Sequence, residues 1–448
     1  MASVVAVRSR LWSRPLGVPG TLAVLWALAL GRWGSYLGVP SRSLYITDGA
    51  LLLGAACLVR AVYVQHKARQ ESLLPSRRVW LPSALLLWAL VRFATSDFSS
   101  LALRDAAPFV YGVLMLLVVV LVTRVDVRRS SALVVGGLMA HAAWVAVSLH
   151  YAGLSDSLPL LGGKVHVLEI RSDFDGACLA VLAGVGLHAL IRAREVWLRL
   201  VGLLLIGWPA WMILQFGNRA STLALLLALV VVVAVHGRWI LRLPRTLLAA
   251  IAALVIVAGL VVLPHTTLFE RLNGDPRFSN NSTAGTTEAR QLAWTSVLAY
   301  SEAAPGRFML GVGFGPDFVQ DSGARQYFGR PGEAVRAPHN WLLFVLARLG
   351  LVGLLLFVGV LGQSVLSMRR ALTASGAGVD VLVPILVAST LFLASMFGVI
   401  LESPFGAVPF FWSLGLLFNP AVSPVRRRSE ITSRKLLRPV ERATGQHG

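Results

Sequence analysis

Apolar runs of about twenty residues recur along the whole chain, each closed by a short polar or basic stretch. "SALVVGGLMAHAAWVAVSLHYAG" and "STLALLLALVVVVAVHG" are two of them. A run of that length matches a hydrocarbon core of about 30 Å when coiled as a helix. Backbone groups have no water to bond in lipid, so helices are the economical way to cross it. The pattern predicts about twelve spans, at 17–36, 45–64, 79–95, 106–123, 131–152, 171–191, 200–216, 221–237, 246–264, 339–366, 381–400 and 405–420. The fold class is therefore an all-α polytopic membrane protein. Composition agrees: 56% of the 448 residues are hydrophobic and 14% are charged, against about 25% charged in a soluble domain.

The net charge of +20 first raises nucleic acid as a partner, and its placement removes that reading. Arg8, Arg10 and Arg14 precede the first span. Lys67, Arg69, Arg77 and Arg78 follow the second, Arg124, Arg128 and Arg129 the fourth, and Arg192, Arg194 and Arg199 the sixth. Arg238, Arg242 and Arg245 follow the eighth, Arg369 and Arg370 the tenth, and the tail after the twelfth is basic again. Every even-numbered gap is basic, so these gaps share one side. The positive-inside rule makes that side cytoplasmic, with both termini inside. Membrane lipids, including anionic headgroups, are the partners this charge implies. The apolar stretch near the N-terminus lacks a small-x-small cleavage site and reads as a retained span. Cys57 and Cys178 lie far apart in apolar segments, which argues against a disulfide and against a metal site.

The opposite side has short connections except one. The chain divides into residues 1–264 with nine spans, a 265–338 extracytoplasmic lobe, 339–420 with three spans, and a basic 421–448 tail. A connection as long as 265–338 is functional or disordered. Balanced charge, apolar content and the helical segment "TTEARQLAWTSVLAYSEA" favour an ordered lobe.

Three residues on that side invite chemistry. Arg219, in "QFGNRASTLALL", sits at the outer membrane boundary, against the charge bias. It is either a snorkelling side chain or an anion ligand, with Ser221 and Thr222 placed to cap the eighth helix and turn its N–H groups toward that anion. Arg290 heads a helix face shared with Trp294, Val297 and Leu298 at helical spacing. Thr286 or Thr287 is the expected cap, and a solvated ion pair to Glu288 or Glu302 is the plainer alternative. His339, in "RAPHNWLLFVLARLGLVG", follows Pro338 at the start of a helix. The helix dipole lowers its pKa, leaving a neutral imidazole able to accept a proton. Otherwise it, or Asn340, is an interfacial polar residue of the first turn.

Other features are less pointed. His141 and His188 read as core residues, and Arg171, Asp173 and Asp175 either bind substrate or pair with one another. Arg104 with Asp105 reads as an ion pair, and Asp48 and Arg60 have no assignment. "GVGFG" at 311–315 lacks the Gly-Lys-Ser/Thr of a phosphate loop and reads as a turn that lets the backbone approach something closely, such as substrate.

The order of these pieces, "NRAST", "EARQLAWTSVLAY", "GVGFG" and "PHNWLLFVLARLGLVGLLLF", resembles the O-antigen ligase and polymerase superfamily over about 200–360. The ligases are the nearer likeness: twelve spans, cytoplasmic termini and one dominant periplasmic loop between the ninth and tenth. The resemblance implies a GT-C-like glycosyltransferase in a Gram-negative inner membrane, with no cofactor and no metal and with a periplasmic active site. Its implied donor is a glycan on undecaprenyl pyrophosphate and its acceptor lipid A–core. His339 would be the base and Arg219 and Arg290 the pyrophosphate ligands; Arg171, outside the matching stretch, and Asn340 are further candidate substrate contacts. Arginine forks suit phosphate oxygens and stay cationic, which agrees. An O-antigen polymerase, a protein O-oligosaccharyltransferase and, from another class, a twelve-span transporter are the alternatives. A transporter predicts paired halves and broken midplane helices, and no internal repeat is evident.

Overall fold

The computed structural model describes residues 18–39, 44–46, 48, 49, 56, 77–121, 127–151, 153–240, 283–328, 335–375 and 378–418. Among the described residues, six helices are long and apolar enough to cross a membrane and four shorter apolar helices accompany them. In chain order these are α1 (Val18–Gly34), α2 (Arg77–Ala94), α3 (Ser100–Leu121), α4 (Val127–His150), and, after a short helix α5 (Leu154–Ser157), α6 (Ser172–Arg192), α7 (Val196–Phe216) and α8 (Arg219–Ile240). The segment from 283 onward adds α9 (Thr283–Glu302), α10 (Pro305–Leu310) and α11 (Phe318–Asp321), then α12 (Trp341–Ser375), α13 (Val379–Ser395) and α14 (Pro404–Phe418). Two hairpins of two-residue strands, Gly38–Val39 with Leu44–Tyr45 and Leu160–Leu161 with Val165–His166, close connections. The expected span at 246–264, most of the one at 45–64, the basic termini and Arg60 lie outside the described residues. Asp48 is described, and its carboxylate accepts a hydrogen bond from the Tyr45 amide at 2.9 Å.

The α6 helix is the axis of the bundle, with 78% of its apolar window buried, whereas α7 on its flank has 22% buried and faces outward. Lipid tails are as apolar as leucine, so helices in a membrane associate through close packing of small residues. The α6 sequence supplies them. A Cβ on Gly176 would fall 2.2 Å from Ser221 Oγ on α8, one on Gly184 2.8 Å from Leu386 on α13, and one on Gly186 2.7 Å from the Gly202 carbonyl on α7. Each approach needs a missing side chain. His141 (0% exposed) and His188 (7%) sit in this core as expected; His188 Nδ1 lies 2.9 Å from His236 Nε2.

The α12 helix is broken. Gly350 has φ 69° and ψ −174°, a conformation open essentially to glycine alone. The break frees carbonyls one turn earlier, and donors from elsewhere take them. The amides of Val312 and Gly313 donate to Ala347 O (2.8 Å) and Arg348 O (3.0 Å), and Trp88 Nε1 on α2 donates to Leu349 O (2.8 Å). Thus "GVGFG" approaches the protein's own kinked helix. A Cβ on Gly311 would meet Arg348 O at 2.4 Å and Gly350 N at 2.6 Å. Residues 351–375 alone, at about 1.5 Å per residue, are long enough to span the hydrocarbon.

One end of the bundle carries nearly all the polar long-range contacts. Arg32 at the end of α1 pairs with Glu169 (3.2 Å), and Arg92 at the end of α2 donates to Gly311 O (3.0 Å). Asp105 near the start of α3 reaches the 315–336 segment. These are the helix ends that the charge pattern assigns to the non-basic side.

Candidate active site

Three of the helices that begin at this end carry polar residues at their N-termini. Ser172 opens α6 and Arg219 opens α8. Asn218 Nδ2 donates to Ser172 Oγ at 2.9 Å, and Ser221 Oγ donates to the Ser172 carbonyl. The cap of α8 is Asn218, whose Oδ1 accepts from the Ala220 amide (2.9 Å), and not Ser221 or Thr222. Ser221 is spent on α6 instead, and Thr222 Oγ1 donates back to Asn218 O (3.2 Å). The third helix, α12, is capped by Asn340, whose Oδ1 accepts from the Leu343 amide at 3.1 Å. Helix N-termini leave N–H groups unsatisfied and carry partial positive charge, which favours an anion between them.

The arginines sharpen that preference. Arg290 lies on α9, which begins at Thr283, so Thr286 and Thr287 are inside the helix and do not cap it. Its inward face is Ala293 and Val297, both 0% exposed, while Leu298 turns outward at 39%. Arg290 and Trp294 flank the buried stripe. Burial, and after it the charge of Arg219, lowers the Arg290 pKa, so the two guanidinium groups stand within electrostatic reach of each other. Among the described residues neither has an ion-pair or hydrogen-bond partner; the expected alternative of Glu288 or Glu302 pairing with Arg290 is not realised. Two like charges held close in a partly buried place repel, and Asp173 acts on Arg290 in the opposite sense.

His339 stands beside them. Its φ is +54°, a left-handed backbone that a non-glycine residue adopts rarely. It precedes the Asn340 cap and so lies outside the helix. Phe328 packs at 5.1 Å between ring centroids. Burial, and after it Arg290, pulls the imidazole down to about 4, with Asp173 acting upward and Arg171 adding a smaller downward push. Desolvation and a neighbouring cation thus favour the neutral imidazole.

Arg171 and Asp173 pair with one another, at 2.9 Å from Nε to Oδ1 and 3.3 Å from Nη2 to Oδ2. Asp175 bonds the Arg171 amide (2.6 Å) and faces His141 Nε2 at 3.4 Å. The cluster therefore pairs internally. Across the Arg171–Asp173 pair lies the 396–403 connection, where a Cβ on Gly398 would fall 2.5 Å from Asp173 Oδ2. Glu402 there has both carboxyl oxygens buried without a partner, and burial pushes its pKa well above the usual range.

Asp105 does not pair with Arg104, which is exposed. Its carboxylate is taken by Arg348 (2.6 Å) and Arg336 (3.0 Å). Arg348 is fully buried, donates to the carbonyls of Gly313 (3.1 Å) and Pro316 (2.7 Å), and stacks over Phe318 at 4.8 Å. The sequence signal for it was available: a lone arginine well inside an apolar run is a costly placement that needs a partner. Asn218 and Glu402 carried no comparable signal.

Apolar helices of spanning length define a polytopic all-α membrane protein, and helix N-termini, arginines and one imidazole gather at one end of its bundle. Residues 210–358 match the family model described as O-Antigen ligase, so that stretch is an O-antigen ligase family domain. Arg219, Arg290, His339 and Asn340 all fall inside it, whereas Asp105, Arg171 and Glu402 lie outside. No curated protein matches the chain.

Proposed function

We propose that the protein is an O-antigen ligase of the Gram-negative inner membrane. It moves polysaccharide from undecaprenyl pyrophosphate to a hydroxyl of lipid A–core on the periplasmic side. The observation that carries this reading is the pair of guanidinium groups, Arg219 and Arg290, which have no ion-pair partner among the described residues and stand beside a neutral His339 near helix N-termini. The lipid-linked pyrophosphate must keep its tail in the membrane, and a cationic site at helix ends suits it. In the reaction the acceptor oxygen bonds to the anomeric carbon as the carbon–phosphate oxygen bond breaks. The bonding pair leaves with the pyrophosphate, where arginine forks stabilise the growing charge. The acceptor proton passes to His339 and from there to water. Direct displacement inverts the anomeric centre. No cofactor is invoked.

Purified protein in nanodiscs, given labelled undecaprenyl-pyrophosphate glycan and three acceptors, tests this. Label on lipid A–core is the expected result. Label on a second lipid-linked glycan makes it a polymerase, and on a protein hydroxyl an oligosaccharyltransferase. Translocation without a new glycosidic bond makes it a transporter. His339→Ala cuts transfer to a small residual rate, and Arg290→Lys impairs it because lysine is a point charge. Full activity in Arg219→Ala returns that residue to the snorkelling reading, and loss of transfer in chelator overturns the metal-free mechanism.

A further inference from the structure

His339 holds a backbone conformation that is unfavourable for its residue type, and such strain persists only where the surroundings over-determine it. Downstream, Asn340 is fixed as the α12 cap, and Trp341 stacks on Phe109 of α3 with centroids 5.0 Å apart. At the residue before, Pro338 O accepts from Trp294 Nε1 at 2.7 Å; Trp294 stands one helical turn after Arg290. The remaining anchor lies upstream. Arg336 turns back into the protein with its side chain only 11% exposed. Nη2 donates to Asp105 Oδ2 (3.0 Å) and Gly315 O (2.7 Å), and Nη1 to Asp317 Oδ2 (3.3 Å). One guanidinium thereby ties three places together: α3 through Asp105, the glycine turn through Gly315, and α11 through Asp317. The segment carrying His339 is pinned to the membrane bundle by it.

We propose that Arg336, seated on Asp105 and Asp317, is a positioning residue that holds His339 in its left-handed turn beside Arg290. The inference rests on the transferase reading, in which the imidazole must meet the acceptor hydroxyl. Arg336 itself touches no substrate. Asp105 keeps Arg348 when Arg336 is lost, so the buried carboxylate stays paired and the bundle stays folded. A small displacement of a reacting group is enough to slow a reaction roughly 10²-fold, and that is the scale expected.

The test uses the full chain in nanodiscs, with undecaprenyl-pyrophosphate glycan and lipid A–core. Arg336→Met lowers kcat roughly 10²-fold with KM little changed, and Arg336→Lys, which still reaches Asp105, recovers part of the loss. In the His339→Ala background the same Arg336→Met substitution leaves the residual rate nearly unaltered, because a residue acting through another loses its effect when the other is gone. The same factor in both backgrounds, or wild-type kcat in Arg336→Met, overturns the proposal. A second measurement needs no turnover. The His339 signal in ¹⁵N-histidine NMR, assigned by its loss in His339→Gln, titrates near 4 in the unaltered protein and moves toward the ordinary 6.5 in Arg336→Met as the ring escapes burial and Arg290. If the unaltered protein forms no glycosidic bond, the transferase reading fails; a His339 titration unmoved by Arg336→Met then overturns the positioning role separately.

Discussion

Replacing Gly350 by alanine places a Cβ where backbone already stands. That atom would fall 2.3 Å from Met309 O and 2.5 Å from Gly311 N, and φ there is +69°. Neither neighbour is a flexible side-chain end, so the 309–313 turn itself must shift. A side chain in this region of backbone space costs about 1–3 kcal/mol, and overpacking a tight contact costs about 1–3 kcal/mol more. The sum, ~2–6 kcal/mol, at ~2 °C per kcal/mol lowers the apparent unfolding temperature by ~4–12 °C. Gly362 lies in the same helix with nothing within 4 Å of its Cβ position, so Gly362→Ala gains up to ~1 kcal/mol of helix propensity instead. Thermal unfolding of both variants in one detergent gives the comparison. Opposite signs are expected. Transfer activity falls with Gly350→Ala as well, because the turn carries Gly315, whose carbonyl accepts from Arg336. Two variants with the same unfolding temperature would refute the account of the kink.

The other expectations follow from the charges. His339 has its folded pKa lowered to about 4, so its neutral form is favoured in the fold; that contribution is whole above about 6.5 and fades as pH falls toward 4. The acid limb of kcat/KM, which reports the free enzyme, therefore lies near 4, and an acid limb near 6.5 would contradict the burial of the ring. Pyrophosphate brings negative charge to the same place, so the acid limb of kcat lies higher than that of kcat/KM; a limb that stays put or moves down in kcat would place the donor away from His339. Asp105→Ala strands the fully buried Arg348 and costs about 3–5 kcal/mol, whereas Arg348→Met leaves Asp105 still paired with Arg336 and costs less. Unfolding temperatures in the reverse order would show that the network is not held by Asp105. Gly186→Val drives a side chain into the Gly202 carbonyl and separates α6 from α7, which a cysteine cross-linking yield between those helices would register as a fall.

The helical spans could be read along the chain because burial in lipid acts within each window of about twenty residues, independent of what packs beside it. The same locality made Arg219, Arg290 and His339 legible as cations and an imidazole at helix ends on the side opposite the basic loops. Partnerships were not legible, because they join residues far apart in sequence. Asp105 looked like the partner of adjacent Arg104 and belongs instead to Arg336 and Arg348. Ser221 looked like a helix cap and is bonded to Ser172, and "GVGFG" looked open to substrate and lies against the break at Gly350. The sequence determined which segments are apolar enough to enter a membrane and which residue types wait at their ends. The tertiary structure decided which charges are cancelled and which are left facing one another, since a charge's meaning depends on neighbours that only packing brings within a few ångströms.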